Sequence, residues 1–331
     1  MIIRSIWDSF RSATFSRKRS AIHRRAIARK DGILKAVGEG LLLRDIQQYD
    51  AHGANGDYTV FVTLPSAPPP RAAGYPVLYL LDGNAWAAGV TEALRFQSRF
   101  SRQSEIEPLI IVAVGYPGDA PIDLGRRAFD FLPKHSSGKL SARFMQGAPW
   151  HQPGGAGPFL DFLTGPLRND IAERYPVDLS RQVLCGHSFG GFFTLHALLT
   201  RPRAFWRYAA LSPSLWWDDE CLMKAADAMI AALPHDLSTR LFMAVGGDEA
   251  PDRPEVSMLM KTATRELAAK LKAQAPSGLD VTYRVLEGEN HLSVPMVAFS
   301  SVLRFIAEPQ AAAPAMTEPA ESIAAGRTGR W

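Results

Sequence analysis

The sequence predicts an α/β protein in which a mostly parallel sheet is covered by helices on both faces. Three observations lead there. Short apolar runs bounded by Gly, Pro, Asp or Asn alternate along the chain with segments of helical period. The runs are apolar nearly throughout instead of at every second residue, the pattern of strands buried on both faces. One of them, Val183-Leu184-Cys185, passes through a glycine-rich turn directly into an apolar helix. Of the 331 residues, 47% are hydrophobic and 21% charged, with ordinary Gly and Pro usage, which excludes disordered, collagen-like and fibrous classes.

Residues 1–40 read as a basic N-terminal extension. Nine Lys or Arg face only Asp8 within the first thirty residues, a net +8 that leaves −4 for residues 31–331 of a chain whose total is +4. The basic character therefore belongs to a tail, and a nucleic-acid-binding body is not implied. The tail lacks the continuous apolar stretch of a secretory signal, and no apolar run reaches the roughly 18 residues of a transmembrane segment. Two cysteines make no disulfide framework, so a reducing cytoplasm is the expected compartment. No spacing of Cys or His suggests a metal, and no metal or organic cofactor is expected.

Residues 41–307 are expected to form one domain. Strands are predicted at Tyr58–Leu64, Val77–Leu81, Leu109–Val114, Gln182–Cys185, Tyr208–Leu211, Arg240–Val245 and Val281–Leu286. Helices are predicted at Ala88–Phe100, Phe159–Tyr175, Phe189–Thr200, Asp219–Ala232, Glu255–Ala275 and Val294–Ile306. Residues 117–157 break the alternation: they are rich in Gly, Pro and Ser, without period, and far longer than an ordinary connection, the mark of a binding loop. Residues 308–331, rich in Ala, Pro and Gly, read as a disordered tail.

The chemistry centres on Gly186-His187-Ser188-Phe189-Gly190-Gly191. A strand, a sharp turn and a helix are what a nucleophile elbow requires, with Ser188 at its tip. A serine hydroxyl needs a base, and in folds of this kind the chain order is Ser, acid, His. Of eight histidines, only His291 follows the last strand and precedes the last helix. The acid should follow the preceding strand, where Asp248, Glu249 and Asp252 are equally placed by spacing. An oxyanion would be met by the backbone N–H of Phe189 and by an N–H after an earlier strand, that of Asn84 before that of Gly83.

The segments Leu81-Asp82-Gly83-Asn84-Ala85-Trp86, Val112-Ala113-Val114-Gly115-Tyr116, Arg127-Ala128-Phe129-Asp130-Phe131, the elbow itself and Ser212-Pro213-Ser214-Leu215-Trp216-Trp217 together resemble an esterase family of α/β-hydrolases. The resemblance covers roughly Leu41 to Ile306, and within the family it is nearest to the enterobactin and salmochelin esterases, which hydrolyse the trilactone of catecholate siderophores. It implies the α/β-hydrolase fold, a serine carboxylic-ester hydrolase working through an acyl-enzyme, Ser188 as nucleophile and His291 as base. It also implies Glu249 as the acid, although some members are Ser-His dyads. Arg127 is expected to face the substrate. Trp86, Trp216 and Trp217, with Arg126 and Phe131, would offer flat apolar and cationic surface to an anionic aromatic ferric siderophore. A general or feruloyl-type esterase, an acyltransferase and a non-catalytic siderophore-binding protein are the competing readings.

Overall fold

The computed structural model describes residues 45–134, 153–250, 254–276 and 278–308. The basic segment 1–40, all but Glu308 of the predicted C-terminal tail, and residues 135–152 of the predicted insert lie outside them. Eight strands form one sheet in the order β1-β2-β4-β3-β5-β6-β7-β8. They are β1 (Ile46–Gly53), β2 (Gly56–Thr63), β3 (Tyr75–Leu81), β4 (Ile110–Gly115), β5 (Val177–His187), β6 (Arg207–Leu211), β7 (Thr239–Gly246) and β8 (Leu279–Leu286). From β4 to β8 every pairing is parallel; β1 and β2 form an antiparallel hairpin, and β2 joins β4 antiparallel with Val60 opposite Val114.

Nine α-helical segments are described: α1 (Gly83–Ser98), α2 (Ser101–Ser104), α3 (Leu124–Phe131), α4 (Ala156–Phe162), α5 (Arg168–Arg174), α6 (Phe189–Thr200), α7 (Trp217–Ala231), α8 (Pro254–Gln274) and α9 (Val294–Ala307). The helix predicted over Phe159–Tyr175 is interrupted by a π turn at Leu163–Leu167 around Pro166. Proline has no N–H to give an α-helical bond and its ring crowds the preceding turn, and the wider turn accommodates it. The predicted insert contains α3, opened by Asp123, whose carboxylate accepts from Arg126 N at 3.0 Å.

Strand side chains alternate between two cores. In β3, Leu78 and Leu80 join Val183, Cys185 and Phe242 beneath α1 and α9, whereas Val77, Tyr79 and Leu81 join Leu184, Tyr208 and Met243 beneath α3 to α8. The helix that follows β3 and the helix that follows β5 therefore leave adjacent strands for opposite faces. Their divergence opens a crevice at the carboxyl ends of β3 and β5, the place where open α/β sheets bind ligands.

Candidate active site

Ser188 sits at the top of β5 with φ 61° and ψ −117°, a conformation that L-residues avoid. The turn around it has no room for side chains. A Cβ on Gly186 would lie 2.3 Å from the Gly190 carbonyl oxygen, and one on Gly191 would lie 2.8 Å from that of Leu211. The strained serine is held by its neighbours: Ser188 N donates to Leu211 O at 3.0 Å, and Ser214 N donates to Ser188 O at 3.1 Å.

Two and three strands away from β5, the ends of β7 and β8 bring the neighbouring groups. Ser188 Oγ lies 3.1 Å from His291 Nε2, and His291 Nδ1 lies 2.7 Å from Glu249 Oε2. The backbone closes the same loop, with His291 N donating to Glu249 O at 3.1 Å. Glu249 is buried, and its second oxygen accepts from Ser212 Oγ and from Gly246 N at 2.6 Å. Burial works to raise the Glu249 pKa, but the bonds from His291, Ser212 and Gly246 outweigh it and hold the carboxyl below its ordinary value. An ionised Glu249 accepts a hydrogen bond from His291 in its Nδ1–H tautomer, which leaves the Nε2 lone pair facing Ser188.

Asp248 points to solvent and only its backbone participates, donating to Glu289 O at 3.0 Å. Asp252 lies outside the described residues. Phe189 and Asn84 stand at the openings of α6 and α1, where helix amides point out of the helix end. The Asn84 side chain bonds both ways with β4's exit, donating to Tyr116 O at 2.9 Å and accepting from Tyr116 N at 2.8 Å.

The aromatic and cationic residues are placed differently from expectation. Arg127 does not face the crevice: it is 4% exposed, and its guanidinium grips both oxygens of Asp82, at 2.8 and 3.0 Å, and the His187 carbonyl at 3.2 Å. Trp217 is likewise enclosed, and Trp216 nearly so; their rings pack 5.5 and 5.8 Å from that of Phe189, supporting the elbow from within. Phe131 belongs to the core, and Arg126 lies over the rings of Tyr58 and Tyr116. Trp86 is half-buried, edge-on to His187 at 6.1 Å.

Three participants were not assigned from sequence. Ser212 and Ser214 follow β6, between the strands of Ser188 and Glu249, so their signal was the quoted Ser-Pro-Ser segment combined with strand order. Ser214 Oγ lies 3.2 Å from Ser188 Oγ. The His187 ring lies 4.5 Å from that of His291, tilted by 44°. Burial, then the charges of His291 and Arg127, push its pKa well below 6.5, so it stays neutral beside His291.

Residues 51–293 match the protein family described as "Putative esterase". The chain belongs to this esterase family. As the resemblance implied, the esterase is a carboxylic ester hydrolase with the α/β-hydrolase fold. It is 34% identical over 266 residues to the ferri-bacillibactin esterase BesA of Bacillus subtilis, covering 80% of this chain and 90% of that one. It is 33% identical over 251 residues to a siderophore triacetylfusarinine C esterase of Aspergillus fumigatus, covering 70% and 82%. The crystal structure of the BES protein from Bacillus cereus superposes with a TM-score of 0.72 at 31% identity, covering 82% of the esterase and 98% of that chain. Among the described residues, no helix of the esterase is long and apolar enough to cross a membrane.

Proposed function

We propose that this protein hydrolyses the ester bonds of a siderophore, with a catecholate trilactone as the substrate class, through an acyl-enzyme on Ser188. The observation that carries the mechanism is the continuous relay from Ser188 Oγ through His291 to Glu249 at the crevice. The substrate class is supported by the siderophore esterases to which the chain is similar over most of its length.

Ser188 Oγ bonds to the ester carbonyl carbon as its proton passes to His291 Nε2. The oxyanion accepts from the Phe189 and Asn84 amides, with the α6 N-terminus adding favourable field. Collapse breaks the bond to the leaving oxygen, which takes the proton from His291. Water then attacks the acyl carbon, His291 removes its proton, and Ser188 departs with that proton restored. Glu249 keeps His291 in the productive tautomer and stabilises the imidazolium throughout. The unbridged Cys185 and Cys221 fit a reducing cytoplasm as the compartment.

The test is incubation of wild-type and Ser188→Ala protein with iron-free and ferric catecholate trilactone, beside p-nitrophenyl butyrate and a feruloyl ester, with products identified by mass spectrometry. Ring opening by the wild type, faster than turnover of the simple esters and absent in Ser188→Ala, is the expected result. Turnover of simple esters with no trilactone opening would refute the substrate class while leaving the esterase mechanism in place.

A further inference from the structure

We propose that Ser214 is a further catalytic residue, whose hydroxyl donates to Ser188 Oγ, leaving the single proton of Ser188 for His291 and meeting the charge that Oγ gains during the reaction. The proposal rests on the reading of Ser188 as nucleophile and His291 as base.

Ser214 lies beyond the end of β6, the strand beside β5, and is 1% exposed. Its Oγ stands 3.2 Å from Ser188 Oγ, and among the described residues no other group bonds to that hydroxyl. Burying a hydroxyl costs free energy that a methyl group in the same place does not, unless a hydrogen bond offsets it. Packing alone therefore gives no reason for an oxygen here; its bond to Ser188 does. The main chain fixes the residue independently of its side chain, since Ser214 N donates to Ser188 O at 3.1 Å and Ser214 O accepts from Trp217 N at 3.1 Å. Ser212, two residues earlier, differs in having its hydroxyl on Glu249.

Each hydroxyl carries one hydrogen, and counting hydrogens fixes the direction of the bond between the two serines. His291 keeps its Nδ1 hydrogen on Glu249, so Nε2 can only accept, and across 3.1 Å it takes the hydrogen of Ser188. The hydrogen between the serine oxygens is then that of Ser214. In the resting enzyme this bond joins two neutral groups. As Ser188 Oγ gives its proton to Nε2 and bonds to the ester carbon, it passes through a state more negative than the hydroxyl. The reverse occurs in deacylation: after water has attacked, the Oγ–carbon bond breaks, its electron pair stays on Oγ, and the proton returns from Nε2. Hydrogen bonds to charged oxygen are roughly twice as strong as those between neutral groups. The Ser214 bond is thus stronger in both transition states than in the states before them, the condition for an effect on rate.

Ser214→Ala deletes the hydroxyl and keeps both main-chain bonds. Its melting temperature, its kcat and KM on p-nitrophenyl butyrate, its stopped-flow acylation and deacylation constants and its rate of labelling by a fluorophosphonate are compared with those of the wild type, together with the pH profile of kcat/KM. The expected result is a folded protein with kcat down about tenfold and KM within about threefold, because one hydrogen bond made chiefly in the transition state is lost. Acylation and deacylation both slow, labelling slows by the same factor as acylation, and the acidic limb of the pH profile stays where it was, since His291 and Glu249 keep their bonds. A folded variant with kcat and labelling within about twofold of wild type, or faster, would overturn the proposal, and so would a loss carried by KM alone, which would make Ser214 a wall of the substrate site. A displaced acidic limb would overturn it too, by showing that Ser214 acts through His291 and not on Ser188 Oγ. If Ser214→Ala is insoluble, Ser214→Cys, which keeps the bulk and replaces the hydroxyl with a weak S–H donor, is judged by the same outcomes. Ser188→Ala is measured alongside: full activity there would refute the nucleophile reading itself, separately from the role of Ser214.

Discussion

Glu249 and Asp248 are adjacent carboxylates with opposite surroundings, one buried among three donors and the other in solvent. Replacing Glu249 by Gln should lower kcat on p-nitrophenyl butyrate by on the order of 10³, because the amide favours the wrong His291 tautomer. Asp248→Asn should leave kcat within about twofold, as expected for a solvated surface residue. Equal losses in the two variants would reassign the acid. His187 gives a pH signature. Its pKa is depressed in the folded state, so below about pH 6.5 the unfolded chain binds a proton that the native protein refuses, and stability falls as pH drops through that point. Urea midpoints measured between about pH 5 and about pH 8 should show this slope in the wild type and a shallower one in His187→Asn; identical slopes would remove His187 as its source.

At the scale of elements, the β5–α6 elbow is the least tolerant part of the fold. Gly186→Ala places a methyl group against backbone rather than a movable side chain, and should cost about 3 kcal/mol or more, read as a lowered thermal midpoint or loss of soluble protein. Wild-type stability in that variant would show that the turn has room the structure denies. This elbow was legible from sequence because every constraint on it is local: strand, glycines, serine, helix. Other elements were hidden for physical reasons. β1 carries Gln47, Gln48, Asp50 and His52 and forms an edge with no fully buried residue, so it presents no apolar run to read. α3 is only eight residues long within a Gly- and Pro-rich stretch, and its one clear start signal is the Asp123 cap. The ion pair of Arg127 with Asp82 joins residues 45 apart, and nothing in local spacing distinguishes an arginine aimed at substrate from one aimed inward.

Across the whole molecule, strand order converts distant sequence positions into one site. Adjacent strands β3 and β5 send their helices to opposite faces, and β6 to β8 continue the sheet beside β5. That order brings Ser188 within 3.1 Å of a histidine 103 residues away. The histidine beside Ser188 was nevertheless readable, since chain order left a single one after β8; spacing left three carboxylates open, and the family resemblance pointed to Glu249, the one the fold buries against His291. The central claim is that this architecture makes Ser188 the nucleophile. It is tested most directly by treating the wild type, His291→Ala and Ser188→Ala with a fluorophosphonate and mapping the adduct by peptide mass spectrometry. The account predicts rapid modification on the peptide containing Ser188, strongly slowed in His291→Ala and absent in Ser188→Ala. An adduct on another residue, or labelling and ester hydrolysis that persist in Ser188→Ala, would contradict it.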